Sequence, residues 1–240
     1  MITVNSYFSG AGLFDIGFRE AGIKINQSFE IDDICCKTQR ANFDHEIIQI
    51  DLTKKLVKQE NKAPVMIGTY PCTKYSPAAS IIGEQSGDDL FLHFFRHIAI
   101  QQPEVYIVEN VPGMKKFPVV MEAMSELPDY FVSVFCPVNA SIWLPQERER
   151  LILVGSRKPF SWRQPTAKKK VTLKDIMEDE PDVRIPQYVY NRMNKKGNYR
   201  DLPIISDPEK GDIAPCVVAH YAKDRGTRLI ADKKFPQGAR

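Results

Sequence analysis

The chain has 240 residues, of which 43% are hydrophobic, so it can bury the core of one large domain with a small appendage. No run approaches the roughly 18 uninterrupted apolar residues of a membrane helix, which excludes a membrane-embedded class of protein. The N-terminal residues lack the basic-then-apolar layout of a secretion signal, so a cytoplasmic protein is expected.

The net charge of +3 is unevenly distributed. Residues 1–155 carry 14 Lys/Arg against 19 Asp/Glu, and residues 156–240 carry 19 against 11. A mildly acidic front half joined to a basic back half fits a small-molecule site attached to a polyanion-binding surface. A solvated, lysine-rich face would show the same asymmetry.

The first 155 residues alternate β-rich runs with segments of helical length and spacing. Strands are predicted at Ile2–Ser6, Ile25–Glu30, Glu46–Ile50, Val65–Gly68, Val105–Glu109, Phe131–Pro137 and Leu151–Gly155. Helices are predicted at Leu13–Ala21, Asp33–Ala41, Leu90–Gln101 and Val119–Leu127. This alternation predicts an α/β fold with a doubly wound, mostly parallel sheet. The ligand of such a sheet sits beyond the carboxyl ends of its strands.

The pattern changes after Arg157, where prolines interrupt a polar and basic stretch. We therefore predict an α/β domain of residues 1–157 followed by a small irregular subdomain of residues 158–240. Within the first domain, Thr69–Asp89 is a long connection, and a loop of this length in a compact domain is more often functional than idle.

A glycine-containing turn follows the first predicted strand and opens the first predicted helix; it reads Phe8-Ser9-Gly10-Ala11-Gly12-Leu13. Glycines let the backbone approach a ligand closely, and the helix N-terminus offers free N–H groups. Taken alone, the glycines fit a plain strand–helix turn equally well.

Two acidic residues strengthen the case for a ligand site. Glu30 ends the second strand, where a carboxylate can accept both hydroxyls of a ribose, and Asp51 ends the third, where it could meet an adenine amino group. Each alone is more simply a helix cap or a solvated acid. The series of three strand ends indicates a nucleoside cofactor that needs no phosphate clamp, which favours S-adenosylmethionine over NAD.

The five cysteines are irregularly spaced, which argues against a disulfide framework, and no C-x-x-C pair indicates a metal site. Cys72 stands out because Pro71-Cys72 follows the fourth strand and opens the long loop. A thiol is the nucleophile of choice once an electropositive, partly open setting ionises it. A lone Pro-Cys pair is nevertheless usually structural.

Two further groups of polar residues flank the fifth and last strands. Glu109 ends an apolar run, where burial should raise the pKa of its carboxyl group as a proton donor requires. Alternation would place Gln146, Arg148 and Arg150 on one face, where paired arginines suit a phosphate or a carbonyl oxygen. The alternatives are a buried structural acid and an exposed charged strand.

These motifs occur in the order and approximate spacing found in the cytosine-C5 DNA methyltransferases, which residues 2–157 resemble. The resemblance implies that Phe8 packs on the adenine of S-adenosylmethionine, that Glu30 holds its ribose and that Asp51 holds the adenine edge. The cofactor pocket predicted in this way comprises Phe8, Ser9, Gly10, Gly12, Leu13, Glu30, Ile31, Asp51, Leu52, Pro71 and Leu90.

The resemblance also implies a mechanism on double-stranded DNA with a flipped target base. Cys72 adds to carbon 6 of cytosine, Glu109 protonates or hydrogen-bonds ring N3, and Arg148 and Arg150 steady the base carbonyl or a phosphate. The protein is then expected in the cytoplasm of a prokaryote or phage host, associated with the nucleoid, as in restriction–modification. Residues 158–240 become its target-recognition region.

Two departures from the family pattern bear on this hypothesis. Thr73 and Lys74 follow Cys72 where family members commonly have glutamine after the cysteine. The family's closing C-terminal segment is not found before Arg240, so we expect a second protein chain to supply it; a truncated product or pairing with a non-catalytic subunit would look the same. The alternative functions are a transfer-RNA cytosine-C5 methyltransferase and a catalytically incomplete DNA-binding regulator.

Overall fold

The computed structural model describes residues 2–57, 62–71, 90–163, 171–181, 185, 187–194, 203–217, 228–235 and 238–240. The chain divides into a first unit of residues 1–138 and 149–162 and a second unit of residues 139–148 and 163–240. Residues 139–148, which lie within the predicted domain of residues 1–157, group with the second of these units. There the backbone N–H of Glu147 donates to the Ala214 carbonyl and that of Ala214 donates to the Pro145 carbonyl, each at 2.8 Å.

The first unit contains every strand and helix expected from the sequence, with bounds that differ by at most two residues. The strands are β1 Thr3–Tyr7, β2 Lys24–Glu30, β3 Glu46–Gln49, β4 Val65–Gly68, β5 Val105–Asn110, β6 Phe131–Asn139 and β7 Glu149–Ser156. The helices are α1 Leu13–Glu20, α2 Asp33–Asn42, α3 Leu90–Gln101 and α4 Pro118–Ser125, with a 3-10 turn at Pro112–Lys116.

The seven strands form one sheet in the order β3-β2-β1-β4-β5-β7-β6. Strands β1 to β5 run parallel, and β7 lies antiparallel to β5. This confirms the predicted α/β fold with a mostly parallel sheet. The chain winds outward from β1 in one direction and from β4 in the other, so the crevice between their carboxyl ends is the place where such sheets bind ligands.

The sheet is held by a core in which aromatic rings from β1, β2 and α3 meet. The Tyr7 ring lies 4.9 Å from that of Phe29 and 5.7 Å from that of Phe94, centroid to centroid. All three rings are buried, and a Cβ added to Gly68 would lie 2.7 Å from the Phe94 ring. The absence of a side chain at Gly68 therefore lets α3 lie directly against β4.

Helix α3 also holds the segment that follows β3. Arg96 donates to the Leu52 carbonyl at 2.7 Å, and the Val57 N–H donates to Nε2 of His97 at 3.2 Å. Because Nε2 accepts that bond, the proton of the neutral ring lies on Nδ1, 2.6 Å from the His93 carbonyl oxygen. Burial lowers the pKa of His97, which is 1% exposed, and the nearby Arg96 lowers it further.

This neutral, buried histidine predicts an acid-sensitive fold. Unfolded His97 takes up a proton near its ordinary pKa of about 6.5, whereas the folded residue does so only at lower pH. The unfolded state therefore binds more protons below about pH 6.5, and the free energy of unfolding should fall there by up to about 1.4 kcal/mol per pH unit. Urea unfolding between pH 5 and 8 measures this slope. His97→Gln should reduce it, and an equal slope in the variant would contradict the assignment.

The second unit has short elements, namely α5 Leu173–Ile176, α6 Gln187–Met193 and the parallel strands β8 Ile204–Ser206 and β9 Arg228–Ile230. Its small core contains Val189, Leu229 and Ala239. Within the parts of the chain that the structure describes, no helix is long and apolar enough to cross a membrane.

Candidate active site

A cavity of about 430 Å³ opens beyond the carboxyl ends of β1 to β4. The predicted pocket residues that line it are Phe8, Gly10, Glu30, Ile31, Asp51, Leu52, Pro71 and Leu90. Four other described residues, not singled out in the sequence, also line it, namely Phe29, Ile50, Thr53 and Thr69. Each of these four lies within two residues of a predicted strand end or of Asp51. Closeness to a strand end was therefore the sequence signal that could have identified them as lining residues.

The other three predicted pocket residues do not line this cavity. Ser9 is buried, and its backbone N–H donates to the Phe29 carbonyl at 3.2 Å. Gly12 precedes α1 in the left-handed region, and an added Cβ would lie 2.6 Å from the ring of Phe43. Leu13 is 78% exposed. Ser9 and Gly12 therefore determine the conformation of the turn but do not line the cavity.

Residues 8–12, which we call the glycine turn, adopt an unusual backbone. Phe8, Gly10 and Gly12 have φ values of 55°, 55° and 82°. Glycine tolerates this left-handed region, but phenylalanine rarely adopts it, so Phe8 must be held there by its surroundings. Its carbonyl accepts the Thr69 hydroxyl at 2.8 Å, and its ring meets that of Tyr70 edge-on at 6.3 Å. These contacts place the Phe8 ring in the cavity wall.

The carboxylate of Glu30 is fixed by three backbone N–H donors. Gly10 donates to Oε2 at 2.7 Å, and Ile31 and Asp32 donate to Oε1 at 2.8 and 2.9 Å. A carboxylate oxygen accepts about two hydrogen bonds, so Oε2 keeps one acceptor position. Glu30 is thus oriented in the cavity wall with capacity for a hydroxyl donor.

Asp51 presents a second fixed carboxylate to the cavity. Its Oδ1 accepts the backbone N–H and the hydroxyl of Thr53 at 2.9 and 2.6 Å, and its Oδ2 lies 3.0 Å from Nζ of Lys54. The hydroxyl bond and then the Lys54 contact lower the pKa of Asp51 to about 2. The group is therefore ionised at neutral pH and can accept hydrogen bonds from an amino group.

Glu109, at the end of β5, forms an ion pair with Arg150 of β7. Arg150 Nε lies 2.8 Å from Glu109 Oε1, and the side chains are 19% and 22% exposed. The prediction that Glu109 has only apolar neighbours is wrong, because the guanidinium of Arg150 faces its carboxylate. The antiparallel pairing of β5 with β7, in which Glu109 lies opposite Ile152, brings the two side chains together.

Asn110, which the sequence did not identify as part of the site, hydrogen-bonds to the chain just before Pro71. It is 2% exposed, its Nδ2 donates to the Tyr70 carbonyl at 3.2 Å, and its Oδ1 accepts the Val111 N–H at 2.9 Å. Tyr70 immediately precedes Pro71, so Asn110 links the end of β5 to the chain that leads into the long loop. Its position beside Glu109 was the only sequence signal.

Two further catalytic residues were predicted, namely Cys72 and Arg148. Cys72 lies outside the described residues. Arg148 belongs to the second unit, where Nη1 lies 4.0 Å from the Cys216 sulfur. The expected alternation of Gln146, Arg148 and Arg150 along one strand is wrong, because β7 begins at Glu149 and Gln146 instead forms a bridge with Ala214.

Among the residues that the structure describes, no group of three or more His, Cys, Asp or Glu side chains could hold a metal ion. Among the described residues, the polar side chains that line the cavity are the carboxylates of Glu30 and Asp51 and the hydroxyls of Thr53 and Thr69, which suit a ligand rich in hydroxyl and amino donors.

The sheet order and the cavity at its winding reversal define a Rossmann-like methyltransferase fold. The chain belongs to the C-5 cytosine-specific DNA methylase family, whose family model matches residues 2–240. The resemblance inferred from the sequence motifs is confirmed.

Two relatives named as methyltransferases support the same family at about 30% identity. Type II methyltransferase M.FnuDI of Fusobacterium nucleatum is 31% identical over 201 residues, covering 79% of this chain and 58% of the relative. Type II methyltransferase M.Eco47II of Escherichia coli is 30% identical over 232 residues, covering 84% and 55%. The chain thus spans little more than half the length of these relatives.

Solved structures share the fold. A methyltransferase of Entamoeba histolytica, EhMeth, superposes with a TM-score of 0.78 at 20% identity, covering 96% of this chain and 76% of that one. DNMT2 of Spodoptera frugiperda gives a TM-score of 0.74 at 17% identity, covering 99% and 76%.

Proposed function

We propose that this chain transfers a methyl group from S-adenosylmethionine to carbon 5 of cytosine in DNA. The observation that carries the proposal is the cavity at the strand ends, where the Glu30 and Asp51 carboxylates are both fixed by hydrogen bonds, in a chain of this family. The relatives are named Type II methyltransferases, which favours a role in restriction–modification.

The residues of the cavity fit the cofactor. Glu30 keeps an acceptor position for a ribose hydroxyl, ionised Asp51 can accept from the adenine amino group, and the Phe8 ring offers an apolar face to the base. Ile31, Ile50 and Leu52 supply further apolar surface of the cavity. Bound there, S-adenosylmethionine would supply an electrophilic methyl group.

The protein must make carbon 5 of cytosine nucleophilic after drawing the base out of the duplex, at a cost of roughly a few kcal/mol. In this proposal Cys72, as a thiolate, adds to carbon 6. Glu109, in its protonated form, donates a hydrogen bond or its proton to ring N3 and so draws charge from the ring. Arg150, 2.8 Å from Glu109, orients that carboxylate and steadies the base carbonyl. Arg148 is proposed to assist at the carbonyl or a phosphate.

The assay for this function is transfer of a labelled methyl group to random-sequence duplex DNA, with transfer RNA as a parallel substrate. We expect 5-methylcytosine in the DNA. Label in transfer RNA alone would favour the RNA alternative, and DNA binding without transfer to either polymer would favour the regulator.

The Glu30→Gln variant tests the cofactor site directly. An amide cannot accept from Gly10, Ile31 and Asp32 at once, so the turn and the ribose lose a charged acceptor. We expect the Kd for S-adenosylhomocysteine to rise about 10-fold or more, as loss of a hydrogen bond to a charged group predicts. Isothermal titration calorimetry measures it, with exposed Glu20→Gln as the matched control. Equal Kd values for the two variants would refute the assignment.

A further inference from the structure

The side chain of Gln39 reaches from α2 to the glycine turn. Gln39 is fully buried, and its Nε2 donates to the Ser9 hydroxyl oxygen at 2.8 Å and to the Gly10 carbonyl at 2.6 Å. Ser9 lies 30 positions and Gly10 29 positions before Gln39 in the sequence. One side chain thus ties the second helix to two adjacent residues of the turn that borders the cavity.

These bonds complete a clamp on Gly10. Its N–H donates to Glu30 Oε2 at 2.7 Å, and its carbonyl accepts from Gln39 on the other side. Gly10 lines the cavity and has a φ of 55°, so its peptide planes are held by side chains rather than by regular secondary structure. Releasing the carbonyl would free the turn to rotate and would displace the N–H that orients Glu30.

The bonds of Gln39 come with an uncompensated polar atom. Its Oε1 is buried and has no hydrogen-bond partner in the part of the chain that the structure describes. A methionine of similar volume would remove this unsatisfied acceptor but would leave the Gly10 carbonyl without its Gln39 donor. The substitution therefore acts directly on the geometry of the glycine turn.

We propose that Gln39 is a positioning residue for the cofactor: by clamping Ser9 and Gly10 it holds the glycine turn and, through Gly10, the ribose-binding carboxylate of Glu30. The inference rests on the proposed function, since it concerns the S-adenosylmethionine site. Helix α2 would then contribute to cofactor affinity through Gln39, although Gln39 itself does not line the cavity.

The chain offers a matched control in Gln27. It is also a buried glutamine with an unpartnered Oε1, and its Nε2 donates to Glu46 of the neighbouring strand, away from the cavity lining. Gln39→Met and Gln27→Met therefore remove chemically similar groups from the same unit. Gln39→Glu serves as a second variant because an ionised carboxylate keeps the size of the side chain but donates no hydrogen bond.

The test is calorimetric binding of S-adenosylhomocysteine, followed by steady-state methyl transfer to duplex DNA. For both Gln39 variants we expect the Kd and the KM for S-adenosylmethionine to rise about 10-fold, with kcat and the KM for DNA unchanged. Gln27→Met should bind as the wild type does.

Wild-type Kd values in both Gln39 variants, or an equal rise in Gln27→Met, would overturn the role of Gln39 while leaving the proposed function intact. A fall in kcat without a rise in KM for S-adenosylmethionine would also overturn it. If the wild type itself binds no S-adenosylhomocysteine, the proposed function fails first and the inference fails with it.

Discussion

Cys72→Ser is expected to lower the rate of methyl transfer to DNA by roughly 10³-fold or more. A serine hydroxyl stays protonated near neutral pH and is a poor nucleophile toward carbon 6, whereas a thiol ionises far more readily. Cofactor binding should persist, because only one atom of the side chain changes. Single-turnover transfer from labelled S-adenosylmethionine measures the rate.

Cys136→Ser is the matched control for this prediction. Cys136 is a free, half-buried cysteine on β6, outside the cavity lining, and its replacement should leave the transfer rate within about twofold of the wild type. A Cys72→Ser variant that retained a tenth of the wild-type rate would exclude covalent catalysis by this residue. An equal loss in both variants would point to general destabilisation.

Glu109→Gln is expected to lower kcat about 10²-fold, the typical contribution of a positioned acid or base. The amide keeps the size of the side chain but cannot deliver a proton to N3, and it loses the ion pair with Arg150. The Kd for S-adenosylhomocysteine should not change, because Glu109 does not line the cavity. Steady-state kinetics at saturating cofactor separates the two quantities.

The matched control here is Glu122→Gln, an exposed glutamate on α4. It should have the kcat of the wild type. A Glu109→Gln variant with unchanged kcat would remove Glu109 from the mechanism. A variant with raised Kd for the cofactor would assign it to binding instead.

The elements of the first unit and the positions of Glu30 and Asp51 were predictable from the sequence because of the geometry of parallel strands. Hydrophobic runs and helical spacing located the elements of the first unit, and parallel strands end at one edge of a sheet. Glu30 and Asp51 could therefore be assigned to one crevice without knowing the strand order. Both line the observed cavity.

The parts that were not predictable depend on contacts between residues far apart in the chain. Arg150 meets Glu109 only because β7 pairs antiparallel with β5, and Gln39 meets Ser9 only because α2 packs on the turn. Residues 139–148 belong to the second unit, where backbone hydrogen bonds join them to Ala214. No local sequence pattern indicates these hydrogen bonds. Local hydrophobic periodicity predicts which residues are buried, but it does not predict which buried polar groups hydrogen-bond or form ion pairs with one another.

The most direct test of covalent methyl transfer uses duplex DNA in which cytosine is replaced by 5-fluorocytosine. After addition of Cys72 to carbon 6 and methylation of carbon 5, the enzyme must remove the proton from carbon 5 before the cysteine can leave. Fluorine cannot be removed as a cation, so the adduct should persist. The measurement is intact-protein mass spectrometry with peptide mapping, using a random-sequence duplex pool and S-adenosylmethionine.

The account predicts a protein–DNA adduct that carries one added methyl group and maps to Cys72, and it predicts no adduct in Cys72→Ser. Methylation of ordinary cytosine without a trapped adduct on the fluorinated duplex, or an adduct that maps to another residue, would contradict it.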